Sequence, residues 1–152
     1  MEQTVPAEVE ELLTGDPVVA HLATYSDGRP HAAPVWFRYE PADETPDDEG
    51  RPPEPAADAH EGGVIEVMTT GQKLENVREN PRVALSIEED EDGHPSWMAT
   101  IRGTGTVVED DDENREANRR INRRYGADDP DDWEEENTLV RIAVGSVSYK
   151  TF

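Results

Sequence analysis

The sequence predicts a mostly β protein with flanking helices, its sheet antiparallel and closed or half-closed into a small barrel. Three observations carry this. Apolar and β-branched residues recur with period two, most plainly at Val83, Leu85 and Ile87. Ser26-Asp27-Gly28-Arg29 separates two strand-like runs with an Asp-Gly hairpin signature. A long threonine-rich run from 96 to 109 contains Gly103 and Gly105, and glycines inside a strand mark the bulges and bends that let a sheet curve.

Residues 4–15 read as a short helix, with Thr4 as N-cap, Pro6 in the first turn, Leu12 and Leu13 as the apolar edge and Gly15 as the stop. Val18 to Tyr25 and Pro30 to Tyr39 form the hairpin. Pro34 has no N–H to give a neighbour, so its strand is expected at an edge, bulged, or interrupted where something docks. Residues 40–62 carry five prolines and many acids without apolar period, which predicts a long solvated loop. Pairing resumes over Gly63 to Thr69, and a short helix follows from Lys73 to Glu79, stopped by Asn80-Pro81. Strands over 82–88 and 96–109 precede a helix over Asp110 to Tyr125 with Ala117, Ile121 and Tyr125 four apart. Strand-like runs at 139–144 and 147–152 close the chain. The tally is about six strands and three helices in one domain over residues 1–152, a size that buries a core without staples.

Charge narrows the function classes. The chain has 36 acidic and 14 basic residues, net −22, with 12 of the 14 being arginine. Such a surface repels a phosphate backbone, so a nucleic-acid partner is not expected. The acid clusters suit either cation binding or adaptation of the whole surface to high salt; their spread along the chain and the near absence of lysine favour the second. Cysteine is absent, and no apolar run reaches the roughly 20 residues that span a bilayer. With no signal-peptide pattern at MEQTVPAEVEELL, the expectation is a cytoplasmic protein.

One of the two lysines, Lys73, follows Thr69-Thr70-Gly71-Gln72 at the start of a predicted helix. Free N–H groups and the positive end of the helix dipole favour an anion there, and the threonine hydroxyls add donors. The spacing fits a phosphate site or an ordinary helix start with a surface lysine. His21 and His31, on the two strands of the hairpin, lack a third metal ligand at suitable spacing. Arginines 119, 120, 123 and 124 suit an anion site or pairing with nearby acids, and the abundance of acids favours pairing.

Four segments in order carry a resemblance: Ala23 to Phe37, Thr69-Thr70-Gly71-Gln72-Lys73-Leu74-Glu75-Asn76-Val77, Asn80 to Ile87, and Ile101-Arg102-Gly103-Thr104-Gly105. Together they resemble the pyridoxamine 5'-phosphate oxidase-like family of split-barrel flavoproteins. The resemblance implies a six-stranded split barrel, a homodimer, and flavin mononucleotide (FMN) bound at the subunit interface. It implies that Ala33, Pro34, Val35 and Trp36 lie beside the flavin ring, with His31 a minor contact. Met68, Thr69 and Thr70 would face the ribityl chain and phosphate, Gln72 would stand in the same turn, and Lys73 would pair with the phosphate. Trp97, Met98, Tyr149 and Lys150 would contribute from the partner subunit. The chemistry implied is redox work on a small-molecule substrate or reductant. The deazaflavin F420 in place of FMN, or a non-enzymatic flavin or haem carrier, are the alternatives on the same fold.

The chain departs from the family pattern where members show a Ser-Arg-Lys run and it has Gly71-Gln72-Lys73. It also has Ala33 in place of an arginine, and it ends Ser146-Val147-Ser148-Tyr149-Lys150-Thr151-Phe152 without an Arg-x-His pattern. Oxidation of pyridoxamine phosphate itself is therefore not expected.

Overall fold

A computed structural model describes residues 5–41 and 63–152. The expected cap Thr4, His60 and nearly all of the 40–62 loop lie outside these residues. The elements in order are α1 (Ala7–Leu13), β1 (Ala20–Ser26), β2 (Arg29–Val35), β3 (Arg38–Glu40), β4 (Val64–Thr69), α2 (Gly71–Glu79), β5 (Arg82–Glu91), β6 (His94–Val108), α3 (Asp111–Arg124) and β7 (Thr138–Thr151). The strands form one antiparallel sheet in the order β2-β1-β5-β6-β7-β4-β3, mostly β with flanking helices as the sequence predicts.

The described residues form seven strands rather than about six, for two local reasons. The run 30–39 divides after Val35, where Trp36 turns outward and Phe37 is fully buried. Pro34 accordingly sits on an edge strand, β2, which pairs only with β1. The runs 139–144 and 147–152, in contrast, join into β7. Arg102 pairs with Ser146 and Gly103 with Val144, so Gly145 is left over as a bulge. Gly103 is required beside it, because a Cβ there would collide with the Ala143 carbonyl.

Along β1 burial alternates strictly, and Leu22, Leu85, Ile101 and Ile142 meet in the core with Phe37. The opposite face of five strands stays open. One cross-strand row runs Pro34, His21, Ser86, Thr100, Ser148, and the next runs Ala32, Ala23, Ala84, Arg102, Ser146. Apart from half-buried Ala84 every member is exposed, and none is acidic.

Buried polar contacts fix the flanking helices. The Tyr39 hydroxyl donates to Glu10 Oε2 at 2.7 Å and ties α1 to β3. Burial, then this bond and the charge of Glu10, push the Tyr39 phenol above its ordinary value. The folded chain therefore keeps a proton that the unfolded chain loses near pH 10, so this contribution is complete below about pH 10 and falls as pH rises beyond it. Urea unfolding followed from pH 8 upward is expected to lose stability more steeply in the wild type than in Tyr39→Phe. Equal slopes would contradict it.

Candidate functional site

The ends of β2 and β4, the start of α2 and one face of α3 converge on a cavity of about 310 Å³. β4 ends at Thr69, Thr70 is extended, and Gly71 turns the chain with φ +68, a left-handed conformation that glycine adopts without strain. α2 thus begins two residues before its predicted start, which places Lys73 third in the helix. The Thr70 side chain makes no capping bond, so the first N–H groups of α2 are not satisfied by it. Leu74 and Val77 bury the underside of α2. Asn76 Nδ2 donates to Thr24 Oγ1 at 3.0 Å, while Gln72 Nε2 donates to Asn76 Oδ1 at 2.7 Å. These bonds pin the first turn of α2 to β1, so Lys73 emerges from a rigid base.

Two features of this turn remain without partners among the described residues. Lys73 is half-buried and enters no ion pair, whereas Arg38, Arg78, Arg119, Arg120 and Arg141 all do. Thr69 Oγ1 is buried and makes no hydrogen bond. A buried hydroxyl left unpaired is costly.

Trp36 forms the apolar wall. Its ring stacks on Tyr125 with centroids 4.5 Å apart and planes 4° from parallel, yet the residue remains 42 % exposed. Tyr125 is itself held, its hydroxyl donating to the Val18 carbonyl at 2.6 Å and accepting from the Phe37 N–H at 3.2 Å. The third wall comes from α3, whose N-cap Asp110 accepts from the Glu113 N–H at 3.0 Å. Asn118, Ile121 and Asn122 share the face toward the cavity, and Asn137 completes it.

Of the predicted site residues, Pro34, Val35, Trp36, Met68, Thr69, Thr70 and Lys73 line this one cavity. The others do not. Gln72 bonds to Asn76, while His31 and Ala33 lie further back on β2 opposite Thr24 and Leu22. Met98 and Lys150 pair across β6 and β7 on the open face, with the Lys150 ammonium 5.2 Å from the Phe152 ring, and the Tyr149 hydroxyl donates to Glu8. Trp97 lies inside: it is 3 % exposed and its indole N–H donates to Glu89 at 2.9 Å. Its side chain belongs to the core of its own chain. Of the α3 arginines, Arg119 pairs as expected with Asp131 in the acidic segment that follows, at 2.7 Å, whereas Arg120 pairs with Glu66 of β4 at 3.2 Å and Arg124 donates to the Leu13 carbonyl at 2.9 Å.

Sequence reasoning missed Asn118, Ile121, Asn122 and Asn137. The available signal was the i, i+4 series Asn114, Asn118 and Asn122, three neutral amides in a helix otherwise dense in charge. The composition of the wall is itself informative. Among the described residues no carboxylate lines the cavity, and Lys73 is the one charged residue that does, in a chain of net charge −22.

The family profile described as pyridoxamine 5'-phosphate oxidase matches residues 5–151. The chain belongs to this family. No curated protein matches the sequence. Among solved structures, an F420 reductase is similar with TM-score 0.61 and 22 % identity, covering 91 % of this chain and 94 % of that one. A FAD-binding protein from Mesorhizobium loti is similar with TM-score 0.65 and 20 % identity over 94 % and 91 %. HutZ, the haem storage protein from Vibrio cholerae, is similar with TM-score 0.63 and 17 % identity over 99 % and 95 %. Members of one fold thus include proteins named for deazaflavin, flavin and haem, and only the residues of a given cavity can separate them.

Proposed function

We propose that this member of the pyridoxamine 5'-phosphate oxidase family binds FMN in the cavity between α2, α3 and β2. The observation that carries the proposal is a cavity that, among the described residues, is lined by no acid and by one charged side chain, Lys73, which enters no ion pair with them. In an otherwise acidic chain, that arrangement selects an anion. Lys73, the free N–H groups opening α2 and the hydroxyls of Thr69 and Thr70 supply donors to one phosphate. The orphaned Thr69 hydroxyl gains the acceptor it lacks. Pro34, Val35, Met68 and the exposed part of Trp36 offer apolar surface to a ring.

The same lining favours FMN over the alternatives. F420 carries a longer anionic tail, and one lysine matches one phosphate better. None of the described histidines, His21, His31 and His94, lines the cavity to ligate haem iron. Bound here, FMN would supply redox chemistry toward a small-molecule substrate or reductant, making the chain a flavin-dependent oxidoreductase. The protein's part is to hold the phosphate at a rigid helix start and to keep carboxylates away from it.

A homodimer is part of the proposal. A volume of about 310 Å³ lies at the low end of the roughly 300–1,000 Å³ of ligand pockets, so one chain walls in only part of a flavin. The open face of β2, β1, β5, β6 and β7 is acid-free over its two central rows, which removes the repulsion that elsewhere opposes a second copy. Pro34 belongs both to that face and to the cavity, so a partner on the face would border the site.

Protein purified in high salt is expected to be yellow and to release FMN on acid treatment. Colourless protein that fails to take up added FMN would refute the reading. The charge of −22 also predicts adaptation to salt: on dialysis into dilute buffer, melting temperature or dimer mass should fall. Unchanged values would contradict it.

A further inference from the structure

We propose that Asn118 and Asn122 determine specificity by accepting hydrogen bonds from hydroxyl groups on the linker between the ligand's phosphate and its ring, an inference that rests on the flavin reading above. Asn118 Nδ2 donates to the Asp132 carbonyl at 2.9 Å, and Asn122 Nδ2 donates to the Pro130 carbonyl at 3.1 Å. Because a carbonyl only accepts, these bonds fix which end of each amide is nitrogen. Each Oδ1 is then left free to accept, beside the second N–H of its own Nδ2. Among the described residues neither Oδ1 receives a protein donor, and both side chains line the cavity.

Four residues apart on α3, the two amides present acceptors one turn from each other along a single wall. An acceptor wall repels a phosphate and attracts hydroxyl donors. Lys73 and the start of α2, on the other wall, do the reverse. The cavity is thus polarised, with an anion end and a hydroxyl-reading side. The ribityl chain of FMN carries hydroxyls on its inner carbons and fits that polarity. The segment carrying Pro130 and Asp132 holds the amides in orientation, helped by the Arg119–Asp131 pair at 2.7 Å.

The test compares FMN with an analogue whose ribityl hydroxyls are replaced by hydrogen, both titrated by flavin fluorescence quenching. A site built to bond a hydroxyl rejects the analogue that lacks it. The unaltered chain should prefer FMN by about ten-fold or more. In Asn122→Leu and Asn118→Leu the preference should shrink toward equality, whereas Lys73→Ala should weaken both ligands alike. If the leucine variants do not fold, the comparison on the unaltered chain still decides. Equal binding of the two flavins by the unaltered chain, or full preference retained in folded leucine variants, would overturn the assignment while leaving the flavin reading intact. Failure of the unaltered chain to bind either flavin would overturn both.

Discussion

Replacing Glu66 with alanine is expected to destabilise the protein by about 3 kcal/mol, the lower end of what removing one partner of a buried charge cluster costs. Glu66 lies on β4 with its side chain 4 % exposed, and three arginines close on it: Arg38 at 3.2 Å, Arg120 at 3.2 Å and Arg141 at 3.3 Å. They come from β3, α3 and β7, so one carboxylate joins three elements around β4. Without it the guanidiniums face one another with no central counter-charge. The lower end applies because Arg38 keeps Glu40 and Arg141 keeps Glu113, and all three arginines are partly solvated. Urea unfolding of Glu66→Ala and the near-isosteric Glu66→Gln checks this. A loss under about 1 kcal/mol in both would show that the cluster is no more than a set of exposed ion pairs.

The second large effect falls on binding rather than folding. Lys73→Glu is expected to weaken FMN by more than about 100-fold, because it removes charge-assisted bonds worth about 1.5–3 kcal/mol and adds a carboxylate facing a phosphate. Stability should barely change, since Lys73 has no ion-pair partner to lose among the described residues. Lys73→Arg should keep part of the affinity. FMN affinity within about three-fold of wild type in a folded Lys73→Glu protein would mean that the lysine does not bear on the phosphate.

The features legible in the sequence were those set by neighbouring residues. The Asp27-Gly28 hairpin and the alternation of β5 follow from local chemistry and stand in the structure. The turn into α2 was visible for the same reason. Thr69, Thr70 and Lys73 are adjacent in the chain, so their convergence on one cavity needs no tertiary information. The asparagine wall is different: it depends on α3 crossing to that cavity, which no spacing around Lys73 announces. Glu66 was hidden because a single acid in an apolar strand reads as facing solvent. Here α3 also packs against β4, and Glu66 is buried between two buried neighbours, Ile65 and Val67. For Trp97 the period did hold the answer. It shares the buried parity of Ala99 and Ile101, while Met98 takes the exposed one, so the two side chains leave β6 on opposite faces.

The measurement that bears most directly on phosphate recognition is a parallel titration of wild type and Lys73→Ala with FMN and with riboflavin, its dephosphorylated form. Wild type should bind FMN more tightly than riboflavin by about 10- to 100-fold, and Lys73→Ala should bind the two almost equally, with riboflavin affinity little changed. An FMN preference that survives intact in Lys73→Ala, or a wild-type protein that binds neither flavin, would contradict a phosphate held at the start of α2.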